Sequence, residues 1–180
     1  MKLSIQRLAC LLGVLAISAC TTAPKSPEGK SEINNEANVA LAKAKSNDPT
    51  LAALLDRSAG YAVFPSVGKG AVGIGGAYGK GVLYSRGMQV GYCDLTQASI
   101  GFALGGQAYT EIIAFETDER VQTFKEGNFR FDAQATAVAL KSGVGANAKY
   151  TDGVAVFTMD EAGLMYEASV GGQKFSYQAR

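Results

Sequence analysis

Apolar residues recur at helical spacing only near the start of the chain. Between Ser31 and Lys45, Ile33, Ala37, Ala40, Leu41 and Ala44 fall three and four apart, which puts them on one face of a helix capped by Ser31. Lys43 and Lys45 sit at its end, where cations complement the helix dipole. Asp48-Pro49 then reads as an N-cap followed by proline at the first helical position, opening a second helix that turns Leu51, Leu54 and Leu55 inward and stops near Gly60. From Tyr61 the period changes to two. The alternation predicts strands at Tyr61–Phe64, Ala71–Tyr78, Gly81–Tyr84, Met88–Asp94, Ser99–Gln107 and Tyr109–Thr117. Asp118 caps a short helix, Glu119 to Glu126, which Gly127 ends. Phe129, Phe131, Ala133, Ala135, Ala137 and Ala139 alternate with polar residues as in a half-buried strand. Val144–Lys149, Gly153–Thr158, Leu164–Val170 and Gln173–Tyr177 complete the set, with a turn at Asp160–Gly163. The pattern is that of an α+β fold with N-terminal helices and one short internal helix.

Ala62 to Leu83 is unusually rich in glycine and contains a formal G-x-G-x-x-G at Gly68, Gly70 and Gly73. A dinucleotide-binding turn needs a helix opening on those glycines, because the helix N-terminus binds the pyrophosphate. Here Gly75, Gly76, Gly79 and Gly81 follow, each costing about 1 kcal/mol in a helix interior. Asp94 lies where a ribose-binding acid would be sought, without the helix to place it. A phosphate loop is absent too, since Gly79-Lys80 is followed by Gly81. Gly70, Gly73, Gly75, Gly76, Gly79 and Gly81 therefore read as structural glycines of strands and turns. Gly73-x4-Tyr78-x2-Gly81-Val82 recurs as Gly145-x4-Tyr150-x2-Gly153-Val154, and Gly105-Gly-Gln-Ala-Tyr109 as Gly171-Gly-Gln-Lys-Phe175. These spacings fit an internal duplication, and equally the generic likeness of glycine-rich hairpins.

The first nineteen residues read as a signal. Lys2 and Arg7 give a positive start, Leu8 to Ile17 an apolar run too short to span a bilayer, and Ile17-Ser-Ala-Cys20 resembles the lipobox of bacterial lipoproteins. On that reading Cys20 is acylated, more than one chain giving stable anchoring at about 0.8 kcal/mol per buried methylene. An ordinary secretory signal cut at the same place is the alternative. Thr21 after the cysteine, by resemblance to Gram-negative lipoproteins, points to the outer membrane and a domain facing the periplasm. Residues 20–30 form the lipidated end and a Pro- and Gly-containing tether, of which ten residues reach at most about 35 Å. Residues 31–180 are then one domain with its own core.

Composition narrows the chemistry. The seventeen basic side chains become fifteen once Lys2 and Arg7 leave, against sixteen acidic, a balance that argues against bulk nucleic-acid binding. The chain has no histidine, which removes the usual general base and the commonest transition-metal ligand. Cys93 has no intrachain partner once Cys10 and Cys20 are accounted for, and reads as a small core residue. No nucleophile elbow or metal-ligand cluster appears, so a hydrolase is disfavoured and no cofactor or metal is expected.

Ala62-Val-Phe-Pro65, Val67, Lys69, Gly70, Val72, Gly73, Gly75, Gly76, Tyr78, Gly79, Gly81 and Val82 together resemble the SYLF domain family. The similarity continues through Gly101–Phe115, the Thr117–Gly127 helix and Gly171-Gly172. It departs at Leu140-Lys141, where a Gly-Pro-like element is expected. The resemblance implies a mainly antiparallel, barrel-like sheet and a non-enzymatic, lipid-binding domain. Eukaryotic members bind phosphoinositides and some bind actin, a partner that a periplasmic protein would not meet. Anionic phospholipid is the binding partner that carries over.

For headgroup contact the candidates are Lys69, Lys80 and Arg86, placed at or near hairpin turns, each worth about 1 kcal/mol near an anionic surface. The competing reading makes them ordinary solvated charges. Glu111 shares a face with Tyr109, Ile113 and Phe115, so it is expected to be partly buried and held in a structural ion pair. The function expected is that of a lipid-anchored envelope protein whose domain binds phospholipid. The alternative is a non-catalytic module that binds another envelope component.

Overall fold

The computed structural model describes residues 24 and 26–180 apart from 73, 101–104, 128, 132–135 and 161–166. Side chains are described outside 70–75, 99–107, 128, 132–136 and 160–169. Two helices come first, α1 (Pro27–Asn47) and α2 (Thr50–Arg57). Four long strands follow: β1 (Gly60–Val72), β2 (Ile74–Ser85), β3 (Met88–Ile100) and β4 (Gly105–Phe115). After them come α3 (Asp118–Lys125), β5 (Thr136–Ala139), α4 (Val144–Asn147), β6 (Val154–Asp160), β7 (Glu167–Ser169) and β8 (Lys174–Ala179). The strands form one eight-stranded sheet in the order β7-β5-β6-β4-β1-β2-β3-β8, antiparallel except for β5 beside β6. The fold is therefore α+β, as expected.

The sheet curls into an open, barrel-like shape. Among the described residues its outer strands β7 and β8 are not laddered together, and a bridge from Arg130 to Lys174 links the segment before β5 to β8. The concave face carries Ala62, Phe64, Val67, Leu83, Leu95, Ile113 and Phe115. α3 fills one end of this interior. Its Phe124 packs 5.0 Å from Phe115 and 5.1 Å from Phe175, ring centre to ring centre. On the convex face, α1 and α2 lay Ile33, Ala37, Ala40, Leu51, Leu54 and Leu55 against Tyr61, Val63, Val82, Tyr92 and Ile112. Each fully buried leucine contributes about 1.5–3 kcal/mol. The predicted inward faces of both helices are the ones buried.

Several boundaries differ from the pattern. α1 begins at Pro27, four residues before the predicted Ser31, because Ser26 caps it: its hydroxyl accepts the Gly29 N–H at 3.1 Å, with proline at the first position and Glu28 in the first turn. The end of the predicted tether is thus helical. Thr117, not Asp118, caps α3, and Gly127 ends it in a left-handed conformation as expected. Ala71–Tyr78, predicted as one strand, falls across the end of β1 and the start of β2, which pair at Val72 and Ile74. Ser99–Gln107 likewise falls across β3 and β4, with 101–104 outside the described residues. The long alternation from Phe129 yields only the four-residue β5, with 132–135 outside the described residues. The turn at Asp160–Gly163 also lies largely outside them.

The strand expected at Val144–Lys149 is the helical turn α4 instead. Asp48 builds it. The Asp48 carboxylate, fully buried, accepts the Gly143 N–H at 3.1 Å, the Gly145 N–H at 2.6 Å, the Thr50 N–H at 3.0 Å and the Thr50 hydroxyl at 2.6 Å. A Cβ on Gly145 would sit 2.7 Å from the Leu51 nitrogen, so the two backbones approach only with glycine there. The first of the two apparent repeats, at an offset of 72, does not share one local structure. Tyr78 to Val82 are strand, whereas Gly145 to Gly153 run through α4 and a turn.

Candidate functional site

The glycine block forms two long, fully paired strands rather than a phosphate loop. In β2, a Cβ on Gly81 would lie 2.7 Å from the Phe64 ring, and one on Gly79 would lie 2.9 Å from Val67. These glycines let large side chains of β1 lie across β2. Gly70 pairs with Gly76 and with Gly106, Gly75 with Ala71 and Ser99, and Gly76 with Ala98. Gly73 lies outside the described residues.

The three basic candidates do not converge. β1 carries one extra residue between Val63 and Val67 against both neighbours, a bulge around Pro65 whose carbonyl accepts the Thr110 hydroxyl at 2.8 Å. The bulge reverses which side chains point inward. Lys69, registered with Ala77 of the interior cluster, therefore shares the concave face and is half-buried within a strand. Lys80 is registered with Ser66 and Asp94 on the convex face and is exposed. Only Arg86 is in a turn. It has φ +49°, precedes Gly87 at φ +76°, and forms an ion pair with Asp118 at the opposite end of the sheet. Six residues of strand, roughly 20 Å, separate Lys80 from it.

Glu111 is buried more deeply than its sequence pattern implies, with no exposed surface. Its partner is the Gln173 side-chain amide, which donates to Oε2 at 3.0 Å, and not a cation; the expected ion pair is replaced by one hydrogen bond. Burial raises its pKa from 4.5 to about 8, against the opposing pull of that bond. The Tyr109 phenol, on the same face, is also pushed up, first by burial and then by the Glu111 charge, with Gln173 acting in the other direction. The oxygens Glu111 Oε1 and Thr158 Oγ1 are buried without hydrogen-bond partners, while the Tyr109 phenol is within hydrogen-bonding reach of the Gln173 side chain. No sequence signal names Thr158 or Gln173 as neighbours of Glu111, since they come from 47 and 62 residues away.

Other candidates resolve simply. Cys93 is fully buried in the interior cluster, where burial pushes its thiol pKa well up, as befits a packing residue. Asp94 accepts the Ser176 hydroxyl at 3.2 Å between β3 and β8. Among the described residues no group of His, Cys, Asp or Glu is arranged to hold a metal, and no helix is long and apolar enough to cross a membrane. An open groove of about 440 Å³ runs between α1 and the convex face, lined by Glu36, Val39, Lys43, Ser66, Thr110 and Met159. Val39 on its rim is 69% exposed.

Residues 96–179, from the second half of β3 to β8, match the family described as Ysc84, Las17-binding protein actin regulator. The chain is also 30% identical over 151 residues to the beta cell expansion factor A of Aeromonas veronii, an alignment covering 82% of this chain and 57% of that protein. It spans little more than half the length of that relative. The matched family is one of binding and interaction domains. Residues 96–179, and not the chain as a whole, carry the match to the Ysc84 (SYLF) domain family.

Proposed function

We propose that this chain is a lipid-anchored envelope protein, held through acylated Cys20, whose SYLF domain binds anionic phospholipid at the glycine-rich end of its sheet. The observation that carries the reading is a pairing. Gly70–Gly79 and Leu95–Thr110 contain no charged residue, and the ladders bring them together: Gly70 lies against Gly76 and Gly106, and Gly76 against Ala98. One end of the sheet is thereby free of charge over four adjacent strands, with Lys69 at its base and Lys80 farther along on the other face. An uncharged surface next to cations suits an interface between headgroups and acyl chains. Arg86, engaged by Asp118 at the far end, is outside this site.

The family description names a protein partner, and the groove beside Val39 supports a second reading in which the domain docks another envelope protein. Liposome flotation of the chain starting after Cys20 separates the two. Lipid binding predicts flotation with anionic but not zwitterionic vesicles at low salt, lost on Lys69→Glu with Lys80→Glu and retained on Arg86→Glu. A domain that ignores anionic vesicles sinks the lipid reading and leaves the docking one. Cys20→Ser should move the full-length protein from the membrane fraction to the soluble one; retention in the membrane would remove the anchor from the proposal.

A further inference from the structure

α1 buries one stripe of residues on the sheet and leaves another uncovered. Glu36, Val39 and Lys43 fall three and four apart on that second stripe, in a row down one side of the helix. All three are exposed, and with Ala40, Pro65 and Met159 they line the groove between α1 and the convex face. Among the described residues of α1, Val39 is the one large apolar side chain left exposed. Neither Glu36 nor Lys43 makes an ion pair among the described residues, and the two lie about 10 Å apart along the helix axis. Charge is ordered along α1. Glu28, Glu32 and Glu36 precede Val39, whereas Lys43 and Lys45 follow it; Lys30, the exception, is turned onto the Tyr92 ring. The helix dipole accounts for charges in the end turns, but Glu36 and Lys43 lie outside the first and last turns. A row of acid, apolar centre and base is its own complement when turned end for end. Glu36 then meets Lys43 of a second copy while Lys43 meets its Glu36, the reciprocal contact of a two-fold dimer. The antiparallel arrangement also sets the two helix dipoles in attraction. An anionic membrane is the wrong occupant, since α1 carries three acids against three bases.

We infer that this chain forms a two-fold dimer through α1, the two helices lying antiparallel with Val39 at the centre and the groove beside it covered. Val39 of each copy packs near Ala40 of the other, where the small alanine lets the helix axes approach to about 8–10 Å. One helix and one groove per copy make a contact at the low end of specific interfaces, on the order of 1,000 Å² in all. The dimer is therefore micromolar and weakened by salt, because its charge pairs are at the surface. This inference is independent of the lipid reading, which concerns the glycine-rich end, and it gives the groove to a second copy in place of another envelope protein.

The test is sedimentation of the full chain in a mild non-ionic detergent, without vesicles, from about 1 to 200 μM. The expected result is a monomer–dimer equilibrium with Kd in the micromolar range. Glu36→Lys alone, or Lys43→Glu alone, sets like charges opposite each other twice per dimer and should raise Kd at least about tenfold. Mixing the two single variants in equal amounts should restore association. The double exchange, Glu36→Lys with Lys43→Glu, should also associate, because it reverses the order and keeps the complement. Both positions are exposed, so the fold is expected to tolerate every variant. A chain that stays monomeric across the range overturns the inference. So does a Kd unchanged in both single variants, which is the result if the detergent or the anchor holds the copies together. A mixture of the single variants that fails to associate overturns the antiparallel pairing.

Discussion

Asp48 and Glu111 are both carboxylates with no exposed surface, yet the protein treats them in opposite ways. Asp48 receives three backbone N–H groups and a hydroxyl, which outweigh the cost of burial and hold its pKa below the usual 3.8. Glu111 receives one amide N–H, and there burial wins, raising its pKa from 4.5 to about 8. Burial alone thus predicts neither the charge state nor the role of an acid; the count of donors does. Asp48 is a ready-made anion clasp that fastens α2 to α4, while Glu111 is a group left incomplete.

Removing the clasp should have the largest effect. Asp48→Ala strands the Gly143, Gly145 and Thr50 donors, and is expected to cost about 3–4 kcal/mol in denaturant unfolding and to expose the amides of α4 to hydrogen exchange. An isolated loss in α4 protection with no loss of global stability would mean that α4 docks as a separate unit. Gly145→Ala tests the same contact from the other side, since its Cβ would collide with the backbone of Thr50 and Leu51. It should lower stability by a similar or smaller amount.

The second effect is in the pH profile. Asp48 has a depressed folded pKa, so its contribution is present above 3.8 and is lost as pH falls through the lower folded value. Glu111 has the reverse sign. Its folded pKa is above the unfolded one, so stability is greatest below 4.5 and declines as pH rises from 4.5 to about 8, by a few kcal/mol on the order of one per unit. Unfolding free energy should therefore fall across that window, and Glu111→Gln should flatten it. A profile equally steep in the variant would assign the slope to other groups.

These two acids also mark how far the sequence could be read. The periodicity of Ile33, Ala37, Ala40 and Ala44 placed α1 on the sheet, and the Thr117–Gly127 segment gave α3, because those signals are local. Glu111 was legible as an inward-facing acid from its alternation with Tyr109 and Ile113. Its partner was not, since Gln173 meets it only after β8 closes the curl of the sheet. α4 was misread as a strand because what bends Val144–Asn147 is a carboxylate almost a hundred residues earlier in the chain. Ser26-Pro27-Glu28 held a helix start within a stretch whose prolines and glycine read as a tether. The faces of Lys69 and Lys80 turned on a one-residue bulge at Pro65, which no alternation pattern announces. Long-range donors and register shifts decided these cases, and neither leaves a mark in local periodicity.

The smallest effect gives the sharpest form of the comparison, because it makes the same substitution beside each acid. Thr50 donates to Asp48 and its oxygen also accepts the Ala146 N–H at 2.8 Å, so Thr50→Val breaks two satisfied bonds. Thr158 has a buried hydroxyl with no partner, so Thr158→Val removes an unmet group and adds a methyl to an apolar interior. In denaturant unfolding the first is expected to cost about 1–2 kcal/mol and the second to be neutral or stabilising by up to about 1 kcal/mol. If Thr158→Val is as damaging as Thr50→Val, the Thr158 hydroxyl is satisfied in the folded protein. The contrast between a completed and an incomplete acid would then rest on Glu111 and Gln173 alone.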